Sequence, residues 1–510
     1  MNPVRVRFAP SPTGPLHIGG LRTALYNYLL ARRTGGTFIL RIEDTDQKRY
    51  VEGAEDYIME ALEWCGISPD ESPRKGGNYG PYRQSERRDI YARYVKELLD
   101  NGSAYLAFDT EEELTERREQ EKAAGNHNFR YDASTRDSMR NSLSLSEEET
   151  KALLEAKTPH VVRFRIDPGE TVSFTDTVRE EVSFQSNELG DQVLMKADGL
   201  PTYHLANIVD DHLMEITHVI RGEEWLPSTA LHVLLYRAFG WEAPVFAHLP
   251  LLLNPNGKGK LSKRKGADLG FPVFPLEWND PVKEETFAGF REDGYLPEAV
   301  VNFLSLLGWN PGTEQEIFSL EELTQAFSLD RITKSGARFD IEKGKWFNQQ
   351  YLIATDDAVL APLVLEQFAA AGHTIDLPKA TTITGLLKER VHLLPEFVSN
   401  GSYFVGPVTE YEEKPIRKKW KPDNRAAFNE MADDLTALSD WSAATIKETV
   451  VAFMGRHELG FGAVLPIIRV AVSGSVQGPD AFEILEAVGR EESVTRLRKG
   501  YDAFDAIKAA

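Results

Sequence analysis

Apolar and polar positions change period twice within the first 42 residues. Val4, Val6 and Phe8 alternate with polar neighbours, the pattern of a strand. Leu21, Leu25, Tyr28 and Leu29 then fall at helical spacing, and Gly35-Gly36 closes that helix. Residues 37–42 (TFILRI) read as a second strand. Strand, helix and strand in this order predict parallel pairing and a right-handed crossover. Parallel strands are normally apolar on both faces. Arg7 and Glu43 break that rule at the carboxyl ends of their strands, the edge where open α/β sheets take ligands.

Further along, residues 109–158 shift to a charged, apolar-poor composition (EEELTERREQEKAAG, then LSEEETKALLEAK). They read as helices of an inserted domain between Rossmann halves near 1–106 and 200–255. Most individual charges in that run fit a solvated helical face. "RFRI" (163–166), "VSF" (172–174) and "EVSF" (181–184) supply short strands, expected within the insert. Beyond residue 336 strand signals nearly vanish. "DDAVLAPLVLEQFAAAG", "AFNEMADDLTAL" and "AATIKETVVAFMGRH" read as amphipathic helices. The expected fold class is therefore α/β: a Rossmann-type parallel-sheet domain with an α+β insertion, followed by an all-α C-terminal region.

Composition narrows the setting. A chain of 510 residues suits about three domains. No apolar run approaches the roughly 18 residues of a membrane span, and MNPVRVRFAP lacks the apolar core of a signal peptide. A single cysteine, Cys65, excludes an intrachain disulfide and a cysteine-rich zinc site. The expectation is a cytoplasmic protein with no membrane partner and no zinc. A net charge of −21 argues against diffuse nucleic-acid binding, so any RNA contact needs local basic patches.

Two stretches carry candidate chemistry. In "RFAPSPTGPLHIGG" (7–20), Gly14, Gly19 and Gly20 permit close approach of a ligand to the backbone. The helix start beyond them offers free N–H groups and partial positive charge, suited to phosphate, with His17 placed to donate. An ordinary Pro/Gly turn fits that local pattern equally well. In "NGKGKLSKRKGA" (256–267), Lys258, Lys260, Lys263, Arg264 and Lys265 put five positive charges within eight residues. Such a loop can neutralise a polyphosphate; taken alone, it reads as a solvated basic loop.

Together these stretches resemble the two signatures of the class I aminoacyl-tRNA synthetases, "PLHIGG" matching the first and "KLSKR" (260–264) the second. Gly20 and Arg264 depart from the general pattern in the way the glutamyl branch does. "RIEDTD" (41–46), "GPYRQSER" (80–87), "PTYHLANIVDDH" (201–212) and "VIRGEEW" (219–225) extend the match, and the chain resembles the bacterial glutamyl-tRNA synthetases. The resemblance implies a first catalytic half at 1–106, an acceptor-end-binding insert at 107–199 and a second half at 200–255. A KLSKR loop and stem-contact domain at 256–335 and an anticodon-binding region at 336–510 complete the implied order.

By that resemblance, Arg7, Ala9 and Ser11 hold the amino acid, Glu43 takes its ammonium, and Tyr203 and Asn207 share the pocket. Arg221 meets the side-chain carboxylate, for which a guanidinium fork is well shaped. His17, Gly19, Gly20, Glu224 and Trp225 hold ATP, while Lys260 and Lys263 stabilise the departing pyrophosphate. The implied reaction joins L-glutamate to tRNA(Glu) through a glutamyl-adenylate, with ATP as substrate and magnesium as its partner, in a monomer. "KPIRKKWK" (414–421) sets Lys414, Arg417, Lys418 and Lys419 around Trp420, a combination suited equally to RNA contact and to a basic interhelical loop. A non-discriminating enzyme that also charges tRNA(Gln), a shortened relative charging a modified base, and a non-catalytic tRNA-binding paralogue are the alternatives.

Overall fold

The computed structural model describes residues 3–262, 266, 270–281 and 284–509. β1 (Arg5–Phe8), α1 (Ile18–Thr34) and β2 (Thr37–Leu40) form the expected unit, with β1 and β2 parallel and Arg7 level with Ile39. Two glycines make the tight return possible. Gly35 ends α1 at φ +63°, and a Cβ on Gly36 would lie 2.2 Å from the Val4 carbonyl oxygen.

α1 is buried on nearly every side, so a single apolar stripe understates it. Tyr28, on the expected stripe, is only half-buried, whereas Tyr26 is fully enclosed. Asn27 Nδ2 donates to the Ile220 carbonyl on the sheet side (3.2 Å), and the Tyr26 hydroxyl donates to the Ser305 carbonyl (3.0 Å). The helix is thereby fixed from two directions by hydrogen bonds to backbone.

The insert builds its own small antiparallel sheet from β3 (Ala104–Ala107) and β4 (Val161–Phe164). Between β4 and its partner β7 (Val193–Met195) run β5 (Thr171–Asp176) and β6 (Glu180–Gln185). The helices Glu111–Ala123 and Glu147–Glu155 bury no residue and begin in capping boxes, Thr110 with Glu113 and Ser146 with Glu149. They match the charged run expected to be solvated.

β5 and β6 correct one expectation: they leave the insert's sheet and extend the catalytic one. With β8 (His218–Gly222) and β9 (Val245–Leu249), the strand order is β2-β1-β8-β9-β5-β6, and β6 alone is antiparallel to its neighbour. Val172 is buried, and the Phe174 ring meets the Phe246 ring at 5.8 Å. Alternation within VSF predicts a strand with one buried face; it carries no information about which sheet supplies the cover.

The second compact unit comprises 293–299 and 342–510. Its regular elements among the described residues are all helices. Asp357–Ala370, Arg425–Thr436 and Ala443–Arg456 coincide closely with the three segments of helical period. No helix among the described residues is long and apolar enough to cross a membrane.

This unit also corrects the reading of Trp420 as a base-stacking residue. Trp420 is 1% exposed, stacks on Tyr501 at 5.4 Å, and donates from Nε1 to Asp505 Oδ1 at 2.7 Å. It ends the short helix Glu413–Lys419, whose Ile416 is buried on the same face one turn earlier. Lys414, Arg417 and Lys418 are exposed and Lys419 is half-buried. The i, i+4 pair Ile416/Trp420 was a core signal inside a basic stretch.

Trp420→Ala is therefore expected to destabilise the unit by roughly 3–5 kcal/mol, while Lys418→Ala stays within about 0.5 kcal/mol of wild type. Urea unfolding of the full chain measures both. Unchanged stability in the tryptophan variant would contradict its place in the core.

Candidate functional site

A cavity of about 630 Å³ opens at the carboxyl ends of β1 and β8. β1 and the turn after it supply Arg7, Ala9 and Ser11, and the chain beyond β2 supplies Glu43. α6 (Tyr203–Leu213) contributes Tyr203 and Asn207, and β8 carries Arg221 just before its end, followed by Glu224 and Trp225. His17, Gly19 and Gly20 at the start of α1 close one side, with Lys260 across from them. One cavity thus gathers every residue expected there except Lys263, which lies outside the described residues. The labels α2 to α5 belong to Ala54–Trp64, Arg88–Asp100, Glu111–Ala123 and Glu147–Glu155, and α7 to Leu226–Ala238.

Beneath the cavity runs a chain of alternating buried charges. Arg7 donates from Nε and Nη2 to the two oxygens of Asp211, at 3.0 and 3.2 Å. Arg41 donates to Asp211 Oδ1 at 2.8 Å and to Glu43 Oε1 at 3.1 Å. Asn207 Nδ2 reaches the same Glu43 oxygen at 3.2 Å. Behind them, Asp210 accepts from Arg87, Gln84 and Tyr91 at 2.7–2.9 Å.

Burial pushes the Asp211 carboxyl upward, but Arg7 and Arg41 outweigh it and hold it below the usual carboxylate range. For Glu43 burial wins: its carboxyl sits above its ordinary value although Arg41 and Arg7 pull it down. Sequence reasoning missed Arg41, Asp210 and Asp211. The available signal was a pair of adjacent aspartates directly after the apolar Ile208-Val209 of a helical run, NIVDDH.

Arg221 differs from these residues. It is 5% exposed, and its donors go to neutral acceptors: Nη1 to the Tyr203 hydroxyl (2.9 Å), Nη2 to Thr229 Oγ1 (2.8 Å) and Nε to His248 Nε2 (3.1 Å). Among the described residues no carboxylate pairs with it. Burial, then Arg221 itself, depresses the neighbouring histidines: His204 falls to about 4, and His232 lies well below its usual range. A buried cation facing a cavity and lacking a counter-charge is a binding site for an anion.

The other end of the cavity is built for phosphate. His17 caps α1, its Nδ1 accepting from the Gly19 N–H at 3.1 Å, and the first turn of α1 holds no acidic residue. The positive end of the helix therefore meets the cavity without neutralisation. Lys260 Nζ donates to Glu224 Oε1 at 2.8 Å. A Cβ on Gly222 would lie 2.1 Å from Glu224 Oε2, so glycine is what lets that side chain fold back. Trp225 lies against Tyr203 with ring centroids 4.5 Å apart.

The family described as tRNA synthetases class I (E and Q), catalytic domain, matches residues 3–346, and an anticodon binding domain family matches 359–501. The glutamate–tRNA ligase of Christiangramia forsetii is 52% identical over 499 residues, covering 98% of this chain and 99% of that protein. That of Phocaeicola vulgatus is 54% identical over 502 residues, covering 98% of each. A crystal structure of a glutamate tRNA ligase from Elizabethkingia meningosepticum, in complex with its amino acid, superposes with a TM-score of 0.95 at 50% identity. The alignment covers 99% of this chain and all of that one.

The depressed histidines predict a pH dependence. His204 binds a proton near 6.5 when unfolded but only near about 4 when folded, so the unfolded state takes up more protons between these values. Stability is expected to fall as pH drops from 6.5 toward 4, and less steeply in His204→Gln. Unfolding midpoints across that range measure the slope; equal slopes would contradict the buried, neutral state of His204.

Proposed function

The chain belongs to the class I tRNA synthetase family of the E and Q branch, and on that premise we propose that it joins L-glutamate to tRNA(Glu) at the expense of ATP. The observation that carries the choice of amino acid is Arg221, a buried guanidinium facing the cavity with neutral partners only. Glutamate brings the missing negative charge with its side-chain carboxylate.

Glutamate lies with its α-carboxylate toward Arg7 and Ser11, beside Ala9, and its ammonium against Glu43. Tyr203 and Asn207 wall the pocket. Because Asp211 balances Arg7, and Arg41 balances Glu43, the main-chain end of the substrate meets an already neutral surface. Only Arg221 gains a counter-charge.

A carboxylate oxygen of glutamate attacks the α-phosphorus of ATP. The bond to the bridging oxygen breaks, pyrophosphate leaves, and glutamyl-adenylate forms. A ribose hydroxyl of the tRNA then attacks the activated carbonyl carbon, and AMP departs. This chemistry needs no protein nucleophile, so catalysis rests on positioning and electrostatics. His17, Gly19 and Gly20 hold the phosphates at the start of α1, with Glu224 and Trp225 beside the adenosine. Lys260 and Lys263 meet the charge developing on pyrophosphate. The Lys260–Glu224 pair is half-exposed, with side chains 57% and 41% accessible, so releasing Lys260 to phosphate costs about 1 kcal/mol or less.

ATP enters as its magnesium complex. That ion is carried on the phosphate oxygens. In the same reading the insert at 107–199 takes the acceptor end, 256–335 the stem, and the helical region 336–510 the anticodon. Lys414, Arg417, Lys418 and Lys419 supply phosphate contacts. The enzyme works as a cytoplasmic monomer.

Truncating one partner of a buried charge pair costs roughly 2–5 kcal/mol. Arg221→Ala should accordingly lose about thirty-fold to several-thousand-fold in kcat/KM for glutamate. The gap to glutamine should narrow and the KM for ATP stay near wild type. Aminoacylation kinetics with both amino acids test this; an intact preference for glutamate would move the discriminating charge elsewhere.

Lys263→Ala should reduce pyrophosphate exchange by about 3–4 kcal/mol of transition-state stabilisation with little change in tRNA affinity. Exchange within a factor of about two of wild type would remove Lys263 from the reaction.

A further inference from the structure

Arg221 is held by a second layer that begins outside the two Rossmann halves. His248, on β9, is fully buried and accepts the Nε–H of Arg221 on its Nε2 at 3.1 Å. An arginine Nε–H can only donate, so that ring nitrogen carries no proton. A neutral imidazole then bears its proton on Nδ1, and Asp176 Oδ2 receives it at 2.6 Å.

Asp176, 1% exposed, is the last residue of β5, on the hairpin contributed by the segment between the Rossmann halves. Its other oxygen, Oδ1, accepts the backbone N–H groups of Val178 (2.9 Å) and Arg179 (2.8 Å), which holds the carboxylate in place.

We infer that Asp176 and His248 are positioning residues for amino-acid selection: Asp176 sets the tautomer of His248, and His248 in that tautomer aims the Arg221 guanidinium into the cavity. The inference rests on the reading of Arg221 as the partner of the glutamate side chain. It gives the inserted hairpin a part in the amino-acid pocket that none of the sequence motifs contains.

Asn at position 176 is nearly isosteric, and at the Oδ2 position its amide also faces the His248 backbone N–H, which Oδ2 accepts at 3.1 Å. Its carbonyl at the Oδ1 position keeps the bonds from Val178 and Arg179, which turns the amide N–H₂ toward the His248 ring. Nδ1 must then accept, the proton moves to Nε2, and two donors face each other across the Arg221 contact.

In the full-length enzyme Asp176→Asn is expected to raise the KM for glutamate about tenfold or more, the size associated with a buried charged donor losing its acceptor. The glutamate-to-glutamine ratio should fall, with the KM for ATP near wild type. The ¹⁵N shifts of the imidazole should report the tautomer exchange directly. His248→Leu should reproduce the kinetic loss. His248→Gln, whose side-chain carbonyl reaches the Nε2 position, should recover most of the affinity.

A wild-type KM for glutamate in both Asp176→Asn and His248→Leu would overturn the inference, as would an unchanged His248 tautomer in Asp176→Asn. If Arg221→Ala lost glutamate preference while these variants kept it, the inference alone would fall. If Arg221→Ala kept its preference, the reading of the pocket would fall, and this inference with it.

Discussion

Asp211 stands between Arg7 and Arg41, and the site is organised around that one carboxylate. It draws together β1, the chain leaving β2 and α6, three segments far apart in sequence. Removing one partner from a buried pair of this kind typically costs about 3–5 kcal/mol, because a charge remains without water or counter-ion. The pocket wall is therefore held in a narrow range of geometries. Glu43 and Asn207 extend the arrangement to the cavity surface.

Against this balanced background the imbalance at Arg221 acquires meaning. A buried guanidinium bonded to a phenol, a threonine hydroxyl and an imidazole is hydrogen-bonded but not neutralised. Charge, not shape, separates glutamate from glutamine, since the two differ by an amide in place of a carboxylate. The site keeps nearby imidazoles uncharged by burial and by the arginine's own field. These imidazoles then add no positive charge beside Arg221 at neutral pH.

The two ends of the cavity use different physics. One end, around Arg7 and Glu43, is lined by side-chain charges locked in pairs. The other end depends on backbone: the capped start of α1 and a glycine, Gly222, that leaves room for Glu224 to fold back. Hydrogen bonds to backbone on two sides hold α1 in place. A half-exposed pair such as Lys260–Glu224 can open cheaply, whereas Arg7–Asp211 cannot.

The sequence by itself determined the elements and most of the pocket. Period-2 and period-3.6 patterns are local, so β1, α1, β2 and the helices at 357–370, 425–436 and 443–456 were legible without a partner. The pocket residues were legible because the motifs that hold them resemble those of a known family, and Arg7, Glu43 and Arg221 also stood out as charges at the ends of expected strands. Tertiary structure alone decided which sheet β5 joins and that Asp211 and His248 underlie the cavity. These depend on what covers a face and on which distant charge meets which, and neither pairing nor burial is encoded in a window of neighbouring residues.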